Sequence, residues 1–335
     1  MLQTHTLVIG GGPAGSTTAR YLAQNGIDTI LVERDLSYKK PCGGGMPLQA
    51  IYEFGIPEDV IKRRVKKIKI ISTKGEELSI ELSNNYICIT ERGDFDTRLR
   101  ELAKEKGALL LEAEFLRFEE LGNNIISVLR KRSDNEEFKI SSKYVIAADG
   151  ITSRVGSAIK STKPQFIHTL STHIPLSNNK IKNPSYDSCD FWLNTGPAQG
   201  LYSWIFPSPK YLSIGTCGKE PKSLIPLLDT FTKKSLNTSL YEITSQKEIT
   251  KKERDTFLSN KIRAFKIPLW SGNMFNKKNV LFVGDAAGMV MPVTYEGIYY
   301  AMKSGEIAAN AIIKNKLSDY KKLWNSNFRN RFLLM

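Results

Sequence analysis

Histidine and cysteine are scarce in this sequence of 335 residues: three histidines (His5, His168, His173) and four cysteines (Cys42, Cys88, Cys189, Cys217). No two cysteines form a CxxC, and no histidine stands in a metal-ligand or triad-like string. Neither a metal site, a disulfide framework nor a metallohydrolase is therefore indicated, and reduced thiols in a cytoplasmic protein are expected. Long hydrophobic runs are also missing. No stretch of about 18 apolar residues occurs, so no membrane-spanning helix is expected. The chain enters a strand almost at once, with no basic segment before it, so no secretory leader is expected. Acidic residues are in deficit: 34 Asp and Glu against 48 Lys and Arg give a net charge of +14. That sign suits an anionic partner, whether a phosphate-bearing substrate, an acidic protein or an anionic membrane face, or else a well-solvated lysine-rich surface.

What is present has the pattern of a large α/β chain. "TLVIG", a glycine turn, the helical "AGSTTARYLAQNG" and the strand "DTILVER" follow one another from Thr6 to Arg34. "RGDFDTRLRELAKEKGA" predicts a helix with Phe95, Leu99 and Leu102 on one face and Gly107 as its stop. "KYVIAADG" reads as a buried strand ending in a turn. From about Gln165 to Trp270 aromatic and β-branched strands take over: "CDFWLN", "LYSWIFP" and "YLSIGTCG". Ser208-Pro209 marks a hairpin turn, and "SLIPLLDTFTKK" an inserted helix. "NVLFVGDAAG" and "GIYYAMKSGEIAANAII" then return to strand, glycine turn and helix. A discontinuous nucleotide-binding domain (1–65, 91–158, 272–318) with an inserted antiparallel sheet domain (66–90, 159–271) and a C-terminal helix (319–335) is the expected organisation.

Gly10, Gly12 and Gly15 in "GGGPAG" satisfy GxGxxG between a strand and a helix, the context in which glycines let backbone approach a pyrophosphate and a helix N-terminus supplies N–H donors. Pro13 and Ala14 complete the turn. Glu33, followed by Arg34, ends the second strand, where a carboxylate can accept hydrogen bonds from a ribose. NAD and FAD share this fingerprint. A second element, Gly284-Asp285 with Gly288, Pro292 and Gly297, offers a carboxylate on a tight turn and a helix N-terminus facing the pyrimidine edge of a flavin. Asp149-Gly150 and Arg92, whose guanidinium can grip a phosphate, complete four pieces.

Two other stretches carry chemistry. "PCGGGMP" sets Cys42 beside Gly43 and Gly44, a loop that permits close backbone approach. The thiol is read either as a proton donor or gate, or as a small buried structural group. "YSWIFP" places Tyr202, Trp204 and Phe206 on one strand face before Pro207, either as a slot for an apolar tail or as sheet core. Near the C-terminus Tyr320, Trp324, Phe328 and Phe332 recur every four residues among six cations. That stripe is either an interfacial membrane anchor or a helix packing on its own domain.

The order GxGxxG…Glu, Arg before a helix, Asp-Gly and Gly-Asp resembles the FAD-binding group typified by aromatic hydroxylases. Within it, "KKPCGGGMPL", "YSWIFP" and "GDAAG…EGIYYAMKSG" are similar to the geranylgeranyl reductase family, over Thr6 to about Trp324. The plant and cyanobacterial branch shows very similar strings, and archaeal lipid reductases share the Pro-Cys-Gly and Tyr-x-Trp-x-Phe-Pro elements. The resemblance implies an FAD oxidoreductase that reduces isolated double bonds of a prenyl lipid or prenyl diphosphate. It puts Cys42, Gly43 and Gly44 by the flavin and Tyr202, Trp204, Phe206 and Pro207 at the substrate. No second GxGxxG marks a tightly held NADPH, so NAD(P)H or ferredoxin is the expected electron donor. A cytoplasmic location, with contact on the inner membrane face, is the matching expectation. Two alternatives share the scaffold: a flavin monooxygenase or halogenase, whose Trp-x-Trp-x-Ile-Pro string "YSWIFP" echoes, and an electron-transfer flavoprotein subunit. The chain also stops sooner than the family pattern.

Overall fold

The computed structural model describes residues 1–176, 187–193, 201–240, 242 and 261–333; the other parts of the expected 159–271 and 319–335 segments lie outside the described residues. The chain divides into two compact units, Met1–Lys39 with Gly93–Gln165 and Ile267–Met335, and Lys40–Arg92 with Phe166–Lys266.

The first unit is built on parallel strands in the order β8-β2-β1-β10-β17: β8 (Leu109–Leu121), β2 (Thr29–Glu33), β1 (Leu2–Ile9), β10 (Glu137–Ala147) and β17 (Val280–Phe282). The apolar runs explain this choice. Thr29–Val32 and Val280–Phe282 are buried throughout, which suits strands covered on both faces. The long β8 and β10 run past the parallel block, where β9 (Ile125–Lys131) bridges them in antiparallel register. The short β16 (Asn276–Lys277) closes the other edge. Helix α1 (Pro13–Gln24) follows β1 and stops at Asn25-Gly26, Gly26 having φ +74°. Helix α3 (Arg92–Glu105) buries Phe95, Leu99 and Leu102, as its spacing predicts. The short α4 (Arg154–Ala158) follows β10 and is capped by the Ser153 hydroxyl, which accepts from Gly156 N–H at 2.8 Å. Helix α6 (Ile298–Ile313) packs against α1 through small residues: a methyl group on Gly305 would stand 2.5 Å from the Ala14 carbonyl oxygen.

The second unit holds two sheets. The larger runs β15-β11-β14-β13-β12-β5-β6: β15 (Arg263–Pro268), β11 (Phe166–Pro175), β14 (Tyr211–Gly218), β13 (Tyr202–Pro207), β12 (Ser188–Leu193), β5 (Lys67–Ile71) and β6 (Glu77–Glu81). The β13–β14 hairpin turns at Ser208-Pro209, with Ser208 N–H donating to Tyr211 O at 2.8 Å. Helix α5 (Leu224–Leu236) covers one face, and Phe231 and Leu228 pack with Ile205, Leu212 and Ile214. The smaller sheet joins β3 (Gly45–Pro47), β7 (Ile87–Thr90) and β4 (Ile61–Val65), with α2 (Leu48–Glu53) between β3 and β4.

Several spans differ from the expected boundaries: residues 159–165 and 267–271 fall in the first unit and residues 91–92 in the second. Residues 40–65 fall in the second unit, because β3 and β4 both pair with β7. The C-terminal segment folds with the first unit and is not an exposed anchor. Helix α7 (Ser318–Trp324), a π-helical turn (Asn325–Arg329) and α8 (Asn330–Leu333) bury Tyr320, Trp324, Phe328 and Phe332. A spacing of four drifts around an α-helix of 3.6 residues per turn, and the wider π turn brings the stripe back into line. The rings meet Tyr300 of α6 and Trp270, with Trp324–Phe328 at 4.9 Å and Tyr300–Phe332 at 5.0 Å between centroids, while the Tyr320 hydroxyl donates to Phe282 O at 2.6 Å. No helix of the described residues is long and apolar enough to cross a membrane.

Trp324→Ala should therefore lower stability by about 3–5 kcal/mol in urea unfolding, as for a fully buried ring, whereas Lys322→Ala should change it by less than about 0.5 kcal/mol. Equal, small effects would return the stripe to the surface.

Candidate functional site

In the first unit the elements singled out by sequence converge on one edge. The strands β2, β1, β10 and β17 are parallel, so Glu33, the Gly10–Gly15 turn, Asp149-Gly150 and Gly284-Asp285 all follow carboxyl ends of neighbouring strands. Ligands of open α/β sheets bind there. The backbones meet closely. Gly10 has φ +110°, and a methyl group on it would stand 2.2 Å from Ala148 O; one on Gly15 would stand 1.8 Å from Gly10 O. Gly12 is the opposite case. Nothing lies within 4 Å of where its Cβ would be, and it starts α1 with no side-chain cap and no acidic residue in the first turn. Pro13 occupies the first helical position, with Ala14 buried behind it. The open space and the free helix N-terminus form a cradle for an anionic group.

Carboxylates flank the cradle. Glu33 Oε2 accepts from Gly11 N–H at 2.7 Å and Oε1 from Asp35 N–H at 3.2 Å, leaving lone pairs for a ligand hydroxyl. Asp149 Oδ2 accepts from Val155 N–H at 3.1 Å, but the buried Oδ1 has no partner among the described residues. Burial pushes this carboxyl above its usual range, against the bonds from Ser153 and the Val155 amide. Gly284 (φ +58°) turns the chain after β17, its amide held by the Ser304 hydroxyl at 2.9 Å, and Asp285 Oδ1 lies 3.9 Å from the Cβ position of Gly297, the residue before α6. Gly288 (φ +70°) ends that turn, where a side chain would press on Leu269 O at 3.0 Å. Pro292 lies in the loop to Gly297. Arg92 is buried as the first residue of α3, and Arg34 is exposed with its guanidinium over the Tyr38 ring at 5.9 Å. A dinucleotide with a flavin fits this set: an open pyrophosphate cradle, two carboxylates able to accept hydroxyls, and a second uncapped helix N-terminus at Gly297.

Sequence reasoning missed two groups. Arg100 is buried and donates to Gly11 O at 3.4 Å, Leu36 O at 3.1 Å and Thr97 Oγ1 at 2.8 Å, so it braces the glycine turn. Its helical spacing with Asp96, Leu99 and Ala103, all buried, was the available sign. Glu296, just before Gly297, has Oε1 buried without a partner among the described residues. Burial pushes its carboxyl up to about 7, with Arg331 acting in the opposite direction. The same loop holds Val293 and Tyr295 at φ +69° and +52°, a region costly for a β-branched residue.

The second unit gathers the remaining motif residues. Cys42 is half-buried, and its Sγ accepts from Gly44 N–H at 3.3 Å. Methyl groups on Gly43 and Gly45 would stand 2.8 and 3.0 Å from the Phe206 ring, and one on Gly44 2.2 Å from Thr90 O. The three glycines are thus wedged between β7 and the aromatic face of β13. Trp204 lies flat on Gly215, with 2.1 Å to its Cβ position, and the indole N–H, 3.2 Å from the Cβ position of Gly43, is buried without a partner among the described residues. Tyr202, Trp204 and Phe206 share this face, while Ser203 and Ile205 point the other way and Pro207 ends the strand.

Residues 3–314 match the model of the family described as "FAD binding domain". The chain is 32% identical over 306 residues to geranylgeranyl diphosphate reductase of Rhodobacter capsulatus, covering 91% of this chain and 73% of that protein. It is 29% identical to digeranylgeranylglycerophospholipid reductase of Methanocella arvoryzae, over 91% of this chain and 76% of that protein. Among solved structures, a geranylgeranyl bacteriochlorophyll reductase-like protein of Thermoplasma acidophilum superposes with TM-score 0.83 at 25% identity, covering 99% of this chain and 86% of that one. A flavin-dependent brominase superposes with TM-score 0.73 at 16% identity, covering 98% and 85%, a likeness of fold alone.

The cradle makes a paired prediction. Gly12→Val should fold with unchanged thermal stability yet bind FAD at least about tenfold more weakly by fluorescence titration, because its side chain enters open space; Gly15→Ala should fail to fold. If Gly12→Val binds FAD normally, the cradle is misplaced. For Glu296, the raised pKa means stability is fully present below about 4.5 and is lost as pH rises through about 7. Glu296→Gln should remove this slope and stabilise the protein by roughly 3 kcal/mol at pH 8, measured by denaturation across pH 5–8. Parallel pH profiles for the two proteins would refute the assignment.

Proposed function

The chain belongs to the geranylgeranyl reductase family of FAD-binding oxidoreductases, and from that premise we propose that it saturates isolated carbon–carbon double bonds of a prenyl chain carried by a lipid or a diphosphate. The observation that carries the reading is the packing of the Cys42 loop on Trp204 and Phe206, which puts a thiol and an aromatic surface in one place.

An isolated alkene has no carbonyl to polarise, so hydride addition must be coupled to protonation. Bound reduced FAD supplies the hydride. The Gly10–Gly15 turn and the first turn of α1 hold the pyrophosphate, Glu33 and Asp149 take hydroxyl hydrogens, Arg92 and Arg34 add cationic charge, and the free N-terminus of α6 beside Asp285 favours negative charge nearby. Cys42 Sγ holds the proton destined for the alkene. The Gly44 N–H donates to this sulfur and fixes its position, and its partial exposure opens it to solvent. The faces of Trp204, Phe206 and Tyr202 exclude water from the bond and favour positive character at its more substituted carbon.

The electron donor is a nicotinamide cofactor or an acidic ferredoxin-type protein, and the net charge of +14 suits the latter as it suits an anionic head group or membrane face. The relatives' names favour this reading over a halogenase or a subunit that only passes electrons on.

Anaerobic incubation of dithionite-reduced holoprotein with prenyl diphosphates, prenyl lipid ethers and prenyl-esterified pigments should give products heavier by two hydrogens per bond. Cys42→Ala should retain the flavin spectrum and lose about 10²–10⁴-fold in kcat. No mass gain with any prenyl compound sinks the reading, and oxygen consumption dependent on an aromatic substrate would replace it with monooxygenation.

A further inference from the structure

At the end of β17 remote from the Gly284 turn, the first unit holds a cavity of about 270 Å³. Its wall is apolar. Leu121 and Ile125, opposite each other in the β8–β9 register, form one side, Ala158 and Ile159 at the end of α4 another, and Val280 at the start of β17 the third. Three residues of β17, about 10 Å of strand, separate this cavity from the carboxyl edge where the glycine turns and carboxylates gather. It is therefore a place apart from the cofactor cradle.

The rim is cationic. Lys160, Lys277 and Lys278 line the cavity and no acidic residue does. Lys277 is tied to the fold, its Nζ donating to Ile159 O at 2.6 Å. Lys160 and Lys278 are exposed, and neither has an acidic partner among the described residues. Both also stand where the backbone favours another residue. Lys160 follows the end of α4 and Lys278 opens the two-residue turn between β16 and β17, each at φ +51°. Glycine and asparagine suit that left-handed region. Among the described residues outside the Val293–Tyr295 loop, the other left-handed positions without glycine are all asparagine: Asn135, Asn237 and Asn315. The chain departs from asparagine twice, both times for lysine, and both times at this rim. Backbone strain kept in one place is a mark of a site.

We propose that this cavity binds an amphiphilic anion, with a phosphate or carboxylate held between Lys160 and Lys278 and a short hydrocarbon tail on Leu121, Ile125, Ile159 and Val280. The two halves of the site exclude simpler ligands. An apolar wall alone would take a neutral hydrocarbon, and unpaired lysines alone would take inorganic phosphate. The volume admits about nine groups the size of a water molecule or a methylene, which sets a tail of about eight carbons. The lysine stems extend the apolar wall while their ammonium groups stay in water, where they meet the head group. This site is independent of the bond-saturating reaction and stands or falls without it.

The test titrates octyl phosphate, octanoate, octanol and inorganic phosphate into holoprotein by calorimetry at low salt. Two variants locate the site. Lys160→Asn with Lys278→Asn removes both charges and relieves the backbone, so the free protein should melt no lower than the parent. Ala158→Phe fills the cavity from an exposed position of α4. The expected result is one site for octyl phosphate or octanoate, the tighter of the two naming the head group, and affinity at least about tenfold lower for octanol and for inorganic phosphate. The double asparagine variant and Ala158→Phe should each lose at least about tenfold for the preferred amphiphile. No binding of either amphiphile overturns the proposal. So does binding that survives in both variants, which would place the ligand elsewhere, or inorganic phosphate binding as tightly as octyl phosphate, which would leave only a patch of lysines.

Discussion

Three backbone segments approach at the carboxyl edge of the parallel sheet more closely than any side chain would permit: Gly10 against Ala148, and Gly15 against Gly10. This contact fixes the first unit's chemistry. It ties the β1 turn to the end of β10, which brings the Asp149 carboxylate beside the glycine turn, and it leaves Gly12 as the one member of the motif that faces open space. The crossing of α1 and α6 repeats the device, because Gly305 lies on Ala14 and Thr18, and Gly284 on Ala14. An anion held at the N-terminus of α1 thus rests on a frame that contains no flexible side chain. Arg100 reinforces it from beneath through the Gly11 and Leu36 carbonyls, a guanidinium spent on backbone and not on ligand.

The second unit applies the same economy to a different end. There the glycines of the Cys42 loop make room for rings and not for a phosphate: Gly43 and Gly45 for Phe206, Gly215 for Trp204. The loop also returns on itself, so that the Gly44 amide meets the Cys42 sulfur. A loop wedged between β7 and β13 cannot swing freely, and a thiol placed on it has a fixed aromatic background. That placement, more than any intrinsic property of the cysteine, is what makes proton delivery to an apolar chain a chemical option.

Most of the first unit was legible in the sequence because its signals are local. A strand, a glycine turn, a helix and a terminal acid are read within thirty residues, and "GDAAG" with its following helix is equally compact. The α3 face and the single-faced aromatics of "YSWIFP" follow from periodicity, and the β13–β14 hairpin from the Ser208-Pro209 turn. What was not legible depends on pairing between distant segments. Residues 40–65 left the nucleotide-binding unit because β3 and β4 found β7, a match that periodicity does not encode. The C-terminal stripe presented two readings because amphipathicity says that a face is buried and not by what; Tyr300 and Trp270 supplied the answer. Arg100 and Glu296 were missed for a related reason. A charged residue in a polar-looking segment is buried only by neighbours far along the chain.

The cations left over from that correction bear on the partner. With the stripe turned inward, Lys321, Lys322, Arg329 and Arg331 stay exposed around a packed helix, and the rings of Tyr320, Trp324, Phe328 and Phe332 are taken up by the fold. Any attraction of these charges to an anionic surface or an acidic protein would be long-range and salt-sensitive, orienting the protein without holding it. Retention of a hydrocarbon chain has to come from somewhere else. In the described residues of the second unit, the apolar surface beside the thiol-bearing loop is the face of Tyr202, Trp204 and Phe206, against which Phe191 packs. Charge to attract and a separate greasy face to retain is a division of labour that an anionic, long-chain substrate requires, since neither force alone distinguishes such a molecule from a nucleotide or from a plain hydrocarbon.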